Sequence, residues 1–168
     1  MLYFAYGSNL DRRAMARRCP QAEPVAPARL DGYRLVFRGF ADIVKDPAGI
    51  VWGALYRLTP SCIRALDKYE DAPRTYRKIK VTVICDEVPC EASAYAMNKG
   101  PISPPDVVYY GEIARGYADW KLDQALLRRA RLSVLGSQRD YGISFAAPAA
   151  GPPVSKGPGD DAPIRRRR

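Results

Sequence analysis

The chain has 168 residues, of which 47% are apolar and 27% charged, and it carries a net charge of +9. That length fits one domain with its own core, and the apolar share is too high for a disordered chain. No apolar run approaches the ~18 residues of a membrane span, and histidine is absent, which excludes Ser-His and Cys-His nucleophiles. The four cysteines, Cys19, Cys62, Cys85 and Cys90, form no CxxC pair, so a metal site is not expected. Met1-Leu2-Tyr3-Phe4 shows no basic segment ahead of an apolar one, and a cytoplasmic protein with reduced thiols is expected. Cys85 and Cys90 flank a hairpin-like segment, where a disulfide is the competing reading. The basic residues are scattered and do not interleave with aromatics, so no nucleic-acid partner is expected.

Leu2 to Ala5 alternates as a strand and meets a turn at Gly7-Ser8-Asn9. Asp11 to Arg18 is a short basic helical stretch closed by Cys19-Pro20. Tyr33 to Arg38 and Ile50 to Leu58 read as strands, the second containing Gly53. Thr59-Pro60 is an N-cap followed by proline at the first helical position, opening a helix that ends near Glu70. Lys78 to Cys85 alternates, with Ile79, Val81 and Val83 on one face and Lys78, Lys80 and Thr82 on the other. Glu91 to Met97 is a further strand. Val107 to Leu135 has helical periodicity, interrupted near Gly116. This order predicts an α+β fold: a small curved or closed, mostly antiparallel β-barrel flanked by helices. It occupies residues 1–145, and residues 146–168 form a Pro/Gly-rich tail ending in four arginines. The tail's composition predicts disorder, with a polybasic contact as the alternative.

Three features carry candidate chemistry. The turn Tyr6-Gly7-Ser8-Asn9-Leu10 ends a strand and precedes a helix, whose first N–H groups lack partners. Such groups suit a carboxylate or a developing oxyanion, although an ordinary strand-to-helix turn has the same residues. In the helix after Thr59, a step of about 100° per residue places Cys62, Ile63, Leu66 and Tyr69 on one apolar arc. Glu70 falls within that arc, whereas Asp67 and Asp71 fall outside it. Burial raises a carboxyl pKa, which suits general acid/base work near neutrality. An ion pair of Glu70 with Arg74 or Arg77 fits the same position. Finally, eleven tyrosines are present; Tyr76 follows Glu70 closely, and Tyr109 and Tyr110 open the long helix. They suit a small polar pocket or plain packing.

The segment Tyr3-Phe4-Ala5-Tyr6-Gly7-Ser8-Asn9-Leu10 resembles the signature of the γ-glutamylcyclotransferase superfamily, which includes the AIG2-like proteins. Val51-Trp52-Gly53-Ala54-Leu55-Tyr56 resembles the family's strand before the catalytic helix, and Leu66-Asp67-Lys68-Tyr69-Glu70 the helix end bearing its catalytic glutamate. Tyr76 stands where a pocket tyrosine follows, and Pro104 onward, with Tyr109, Ile113 and Gly116, resembles the entry to a later helix. The resemblance implies an enzyme that closes a γ-glutamyl amide to 5-oxoproline and releases an amine. It implies Glu70 as proton carrier and Tyr3, Phe4, Ala5, Tyr6, Gly7, Ser8, Asn9, Tyr76 and Tyr109 around a small γ-glutamyl substrate. Neither metal nor cofactor is implied, and the oligomeric state is left open. The Tyr-Gly-Ser-Asn form is closer to enzymes acting on γ-glutamyl amino acids. The alternative is a non-catalytic binder of small ligands on the same scaffold. One departure is Asp71, where the family often has glycine; an added acid there would raise the Glu70 pKa by repulsion or alter the turn.

Overall fold

The computed structural model describes residues 1–140. The tail at 146–168 and the domain end at 145 lie outside the described residues. Five strands close into a barrel in the order β1-β3-β2-β4-β5: β1 (Leu2–Ala5), β2 (Glu23–Arg38), β3 (Phe40–Arg57), β4 (Tyr76–Cys85) and β5 (Val88–Met97). All neighbours are antiparallel except β1 and β5, which meet in parallel at Tyr3 and Ser93. Among the described residues, four α-helices flank the barrel: α1 (Arg12–Arg18), α2 (Pro60–Tyr69), α3 (Val107–Asp119) and α4 (Gln124–Asp140). A 3-10 turn, Ser8–Leu10, links β1 to α1. The core gathers Phe4, Phe37, Leu55 and Val83 from the strands with Leu66, Ile113, Tyr117 and Leu127 from the helices. No described helix is long and apolar enough to cross a membrane.

The expected class is observed, but two strands are far longer than their sequence patterns show. β2 and β3 form one long hairpin, paired from Glu23–Arg57 to Arg38–Phe40. Prolines hide its length. Pro24 borders a register shift in β2, and Pro47 lies where β3 pairing skips from Lys45 to Ile50; both are positions at which a missing N–H breaks little. Gly39 makes the reversal with a positive φ of 77°. Cys85 and Cys90 are both free thiols.

The helical break also moves. α3 runs unbroken through Gly116, and the interruption falls at residues 120–123, where Lys121 has a positive φ. Gly116 is there for close approach: a Cβ would lie 2.3 Å from that of Leu10 and 2.6 Å from the Asp11 nitrogen. Asp11 caps α1 through the Ala14 N–H at 2.9 Å and accepts from Arg115 of α3, also at 2.9 Å. Trp120 donates to the Leu10 carbonyl at 3.0 Å. Helix α3 therefore clamps the turn that follows β1.

Candidate active site

The connection from β3 to α2 brings the turn and Glu70 together. β1 lies antiparallel to β3, with Leu2 opposite Arg57, so α2 starts beside the beginning of β1. The Met1 amino group and the Leu58 N–H tie that corner together. The ten residues of α2 span about 15 Å at the usual helical rise. That is comparable to the run of β1, so the helix C-terminus arrives at the Gly7-Ser8-Asn9 end. Thr59 caps α2, accepting from the Cys62 N–H at 3.3 Å, and Pro60 sits in its first turn. Glu70 is the C-cap, its N–H donating to the Leu66 carbonyl at 2.8 Å.

A small, partly open cavity lies at this junction. Tyr3, Tyr6, Gly7, Ser8, Asn9, Glu70, Tyr76 and Tyr109 line it, with Ala41 and Tyr95. Glu70 accepts from Asn9 Nδ2 at 2.8 Å, and the same nitrogen donates to the Tyr3 hydroxyl at 3.0 Å. Arg18 donates to Asn9 Oδ1 at 2.8 Å, which fixes the amide with its nitrogen toward the carboxylate. The guanidinium also lies 3.9 Å from the centroid of the Tyr69 ring and pairs with Glu112 at 3.5 Å. Burial raises the Glu70 pKa to about 7, against the opposing pull of the Asn9 hydrogen bond and the Arg18 charge. Burial likewise pushes the Tyr3, Tyr6, Tyr76 and Tyr109 hydroxyls well above their usual range, so they stay protonated.

The tyrosines are pinned from several elements. Tyr76 donates to the Ala41 carbonyl at 2.9 Å, and Tyr109 accepts from the Ala41 N–H at 3.1 Å. Tyr6 donates to the Tyr95 carbonyl. Asp106 caps α3 through the Val108 and Tyr109 N–H groups at 2.9 and 2.8 Å, setting where Tyr109 starts its helix. Gly7 faces this packing, since a Cβ there would lie 3.2 Å from Ala41 Cβ and 3.4 Å from the Tyr109 hydroxyl.

Two of the candidate residues do not reach the cavity. Phe4 is fully buried on the opposite side of β1 from Tyr3, and its ring lies where a side chain on Gly53 would stand. Ala5 is fully buried too, paired with Ala54, and does not line the cavity. Neither Arg74 nor Arg77 pairs with Glu70. Arg74 binds Asp71 at 2.8 Å, and Arg77 donates to the Met97 carbonyl. Asp71 adopts φ 51°, the left-handed geometry in which glycine is favoured, so the turn keeps its shape without glycine. Its carboxylate is held by Arg74 and Thr75, which lower its pKa, and it is not a source of the Glu70 shift. Tyr69 departs from the apolar arc, being 46% exposed at the cavity mouth. Asp67 is partly covered and binds Lys78 and Tyr95, at 2.9 and 2.7 Å.

Arg18, Ala41 and Tyr95 are absent from the expected set. Arg18 carried a legible signal: it follows Ala14 by four residues and Met15 by three, the two buried positions of α1. Nothing local marks Ala41 or Tyr95, which reach the cavity through barrel closure.

A sequence profile described as "Gamma-glutamyl cyclotransferase, AIG2-like" matches residues 3–122. The chain belongs to this family. The γ-glutamylcyclotransferase of Bos taurus is 33% identical over 131 residues, covering 68% of this chain and 69% of the relative. That of Homo sapiens is 31% identical over 131 residues, covering 68% and 69% respectively. A solved structure titled "Gamma-glutamyl cyclotransferase" superposes with a TM-score of 0.71 at 27% identity, covering 77% of this chain and 85% of the other. In this cyclotransferase-family chain, the matched span holds every residue that lines the cavity. Among the described residues, no group of three His, Cys, Asp or Glu side chains is arranged to hold a metal.

Proposed function

We propose that this chain is a γ-glutamylcyclotransferase acting on γ-glutamyl amino acids or amines, with Glu70 as its general base and acid. The observation that carries this reading is the placement of Glu70. It is a largely buried carboxyl with a pKa near 7, in a tyrosine-lined cavity shared with the Gly7-Ser8-Asn9 turn.

The reaction is an intramolecular acyl transfer. The substrate's α-amine attacks its own γ-carbonyl carbon, a C–N bond closes a five-membered ring, and the original amide C–N bond breaks. Glu70 takes a proton from the α-amine and returns it to the departing nitrogen, so one carboxyl serves both steps with no net proton change. A pKa near neutrality suits both directions of that transfer. The Tyr6-Gly7-Ser8-Asn9 turn and the protonated Tyr3, Tyr76 and Tyr109 hold the glutamyl head folded, which favours ring closure over extended poses. Arg18, acting through Asn9, positions the carboxylate.

Incubation with γ-glutamyl-alanine and assay of 5-oxoproline tests the reading. The wild-type protein is expected to release one 5-oxoproline per alanine. Glu70→Gln is expected to lose about 10²–10⁴-fold in rate, the usual contribution of a positioned acid/base. Full activity in Glu70→Gln would refute the proton-shuttle role, because the amide cannot carry the proton. No product from any γ-glutamyl amide would favour a binding protein.

A further inference from the structure

Outside the inner cavity a second chamber opens to solvent. Ser8, Glu70, Tyr76 and Tyr109 belong to both chambers, and the outer one adds Phe40, Tyr69, Asp71 and Thr75. Glu70 therefore stands in the wall between them. If the cyclotransferase reading holds, the scissile amide must lie against Glu70. The glutamyl head then fills the polar inner cavity, and the departing amine projects into the outer chamber.

The chemistry of that chamber is apolar. Phe40, beside the hairpin reversal, is 52% exposed, and its ring is braced edge-on against Tyr109 at 5.1 Å. Tyr69 has one ring face covered by Arg18, and its hydroxyl lies 3.3 Å from Ser8 Oγ. The polar groups nearby are already engaged, since Asp71 Oδ2 accepts from both Arg74 at 2.8 Å and Thr75 at 2.6 Å. An anionic side chain entering here would meet no free cation, since Arg74 is held by Asp71 and Arg18 by Asn9 and Glu112. An apolar one would cover two braced rings at little entropic cost.

We infer that the outer chamber is the leaving-group subsite, and that Phe40 and Tyr69 select γ-glutamyl amides whose amine bears an apolar or aromatic side chain. This inference rests on the cyclotransferase reading. Its test is a panel of γ-glutamyl-leucine, γ-glutamyl-phenylalanine, γ-glutamyl-glycine and γ-glutamyl-glutamate, compared by kcat/KM for 5-oxoproline release. The leucine and phenylalanine substrates are expected to exceed the glycine one about tenfold, the scale of a small apolar contact in a pocket. The glutamate substrate should be slower still. In Phe40→Ala the leucine-to-glycine ratio is expected to collapse toward one; the residue is exposed, and the ratio cancels any general loss of active protein. Equal rates across the panel, or an unchanged ratio in Phe40→Ala, would overturn the inference and leave the cyclotransferase reading intact. Absence of 5-oxoproline from all four substrates would overturn both.

Discussion

Glu70 is held between opposing forces, and its ionisation should report them. Burial pushes its pKa up, while the Asn9 N–H and the Arg18 charge pull it down, leaving it near 7. As the proposed base it must be ionised in the free enzyme. The acid limb of kcat/KM is therefore expected to rise with pH and level off above about 7. Removing either stabilising partner favours the neutral acid. Asn9→Ala and Arg18→Met should both move that limb to higher pH, beyond any drop in rate. A pH profile of 5-oxoproline release for the three proteins checks this. A limb that stays in place while only the plateau falls would reduce Arg18 to a packing residue. The inward phase of Glu70 on α2 was legible, because Leu66 four residues before it is buried. The Asn9–Arg18 relay was not. It joins a turn, a helix and a helix end that are 61 and 9 residues apart in the chain, and periodicity has no access to such distances.

Among the elements, short and regular ones were legible and long ones were not. The alternation of β4 shows in the sequence because both of its faces are cleanly divided, with Val81 and Val83 buried and Lys78 and Lys80 exposed. β2 and β3 hide theirs behind prolines and register shifts. Gly116 misleads in the opposite way: it reads as a helix breaker, yet it lies inside α3 because Leu10 and Asp11 leave no room for a methyl. The backbone on the other side is the 3-10 turn that carries Ser8 and Asn9. Gly116→Ala should therefore destabilise the protein by about 1–3 kcal/mol, the usual cost of overpacking. It should also lower turnover by displacing the turn. Thermal denaturation and the 5-oxoproline assay together test the clamp. Because alanine favours helix over glycine, an unchanged or raised Tm would show that α3 shifts freely on the turn and that the clamp is absent.

Across the whole molecule, the proposed acid/base has a cost in stability that pH should expose. The native pKa of Glu70 is about 7 against an ordinary value of 4.5. The native state thus holds a proton that the unfolded chain releases between those values, and stability falls as pH rises through that window. Below 4.5 both states are protonated, and above 7 both are ionised, so the loss is complete on the alkaline side. At 1.36 kcal/mol per pKa unit, the difference amounts to about 3 kcal/mol, a sizeable share of a small domain's stability. Glu70→Gln keeps the shape and can still accept from Asn9, but it has no charge to bury. Urea denaturation should find the variant close to wild type at pH 4.5 and more stable by about 2–3 kcal/mol at pH 8.5. Parallel pH curves for the two proteins would show that Glu70 is not the group strained by burial. A stability gain confined to alkaline pH, combined with lost turnover, would tie the destabilising carboxyl to the reaction. The barrel brings the C-terminus of α2 onto the turn after β1, and the burial of Glu70 that results makes the site costly to ionise.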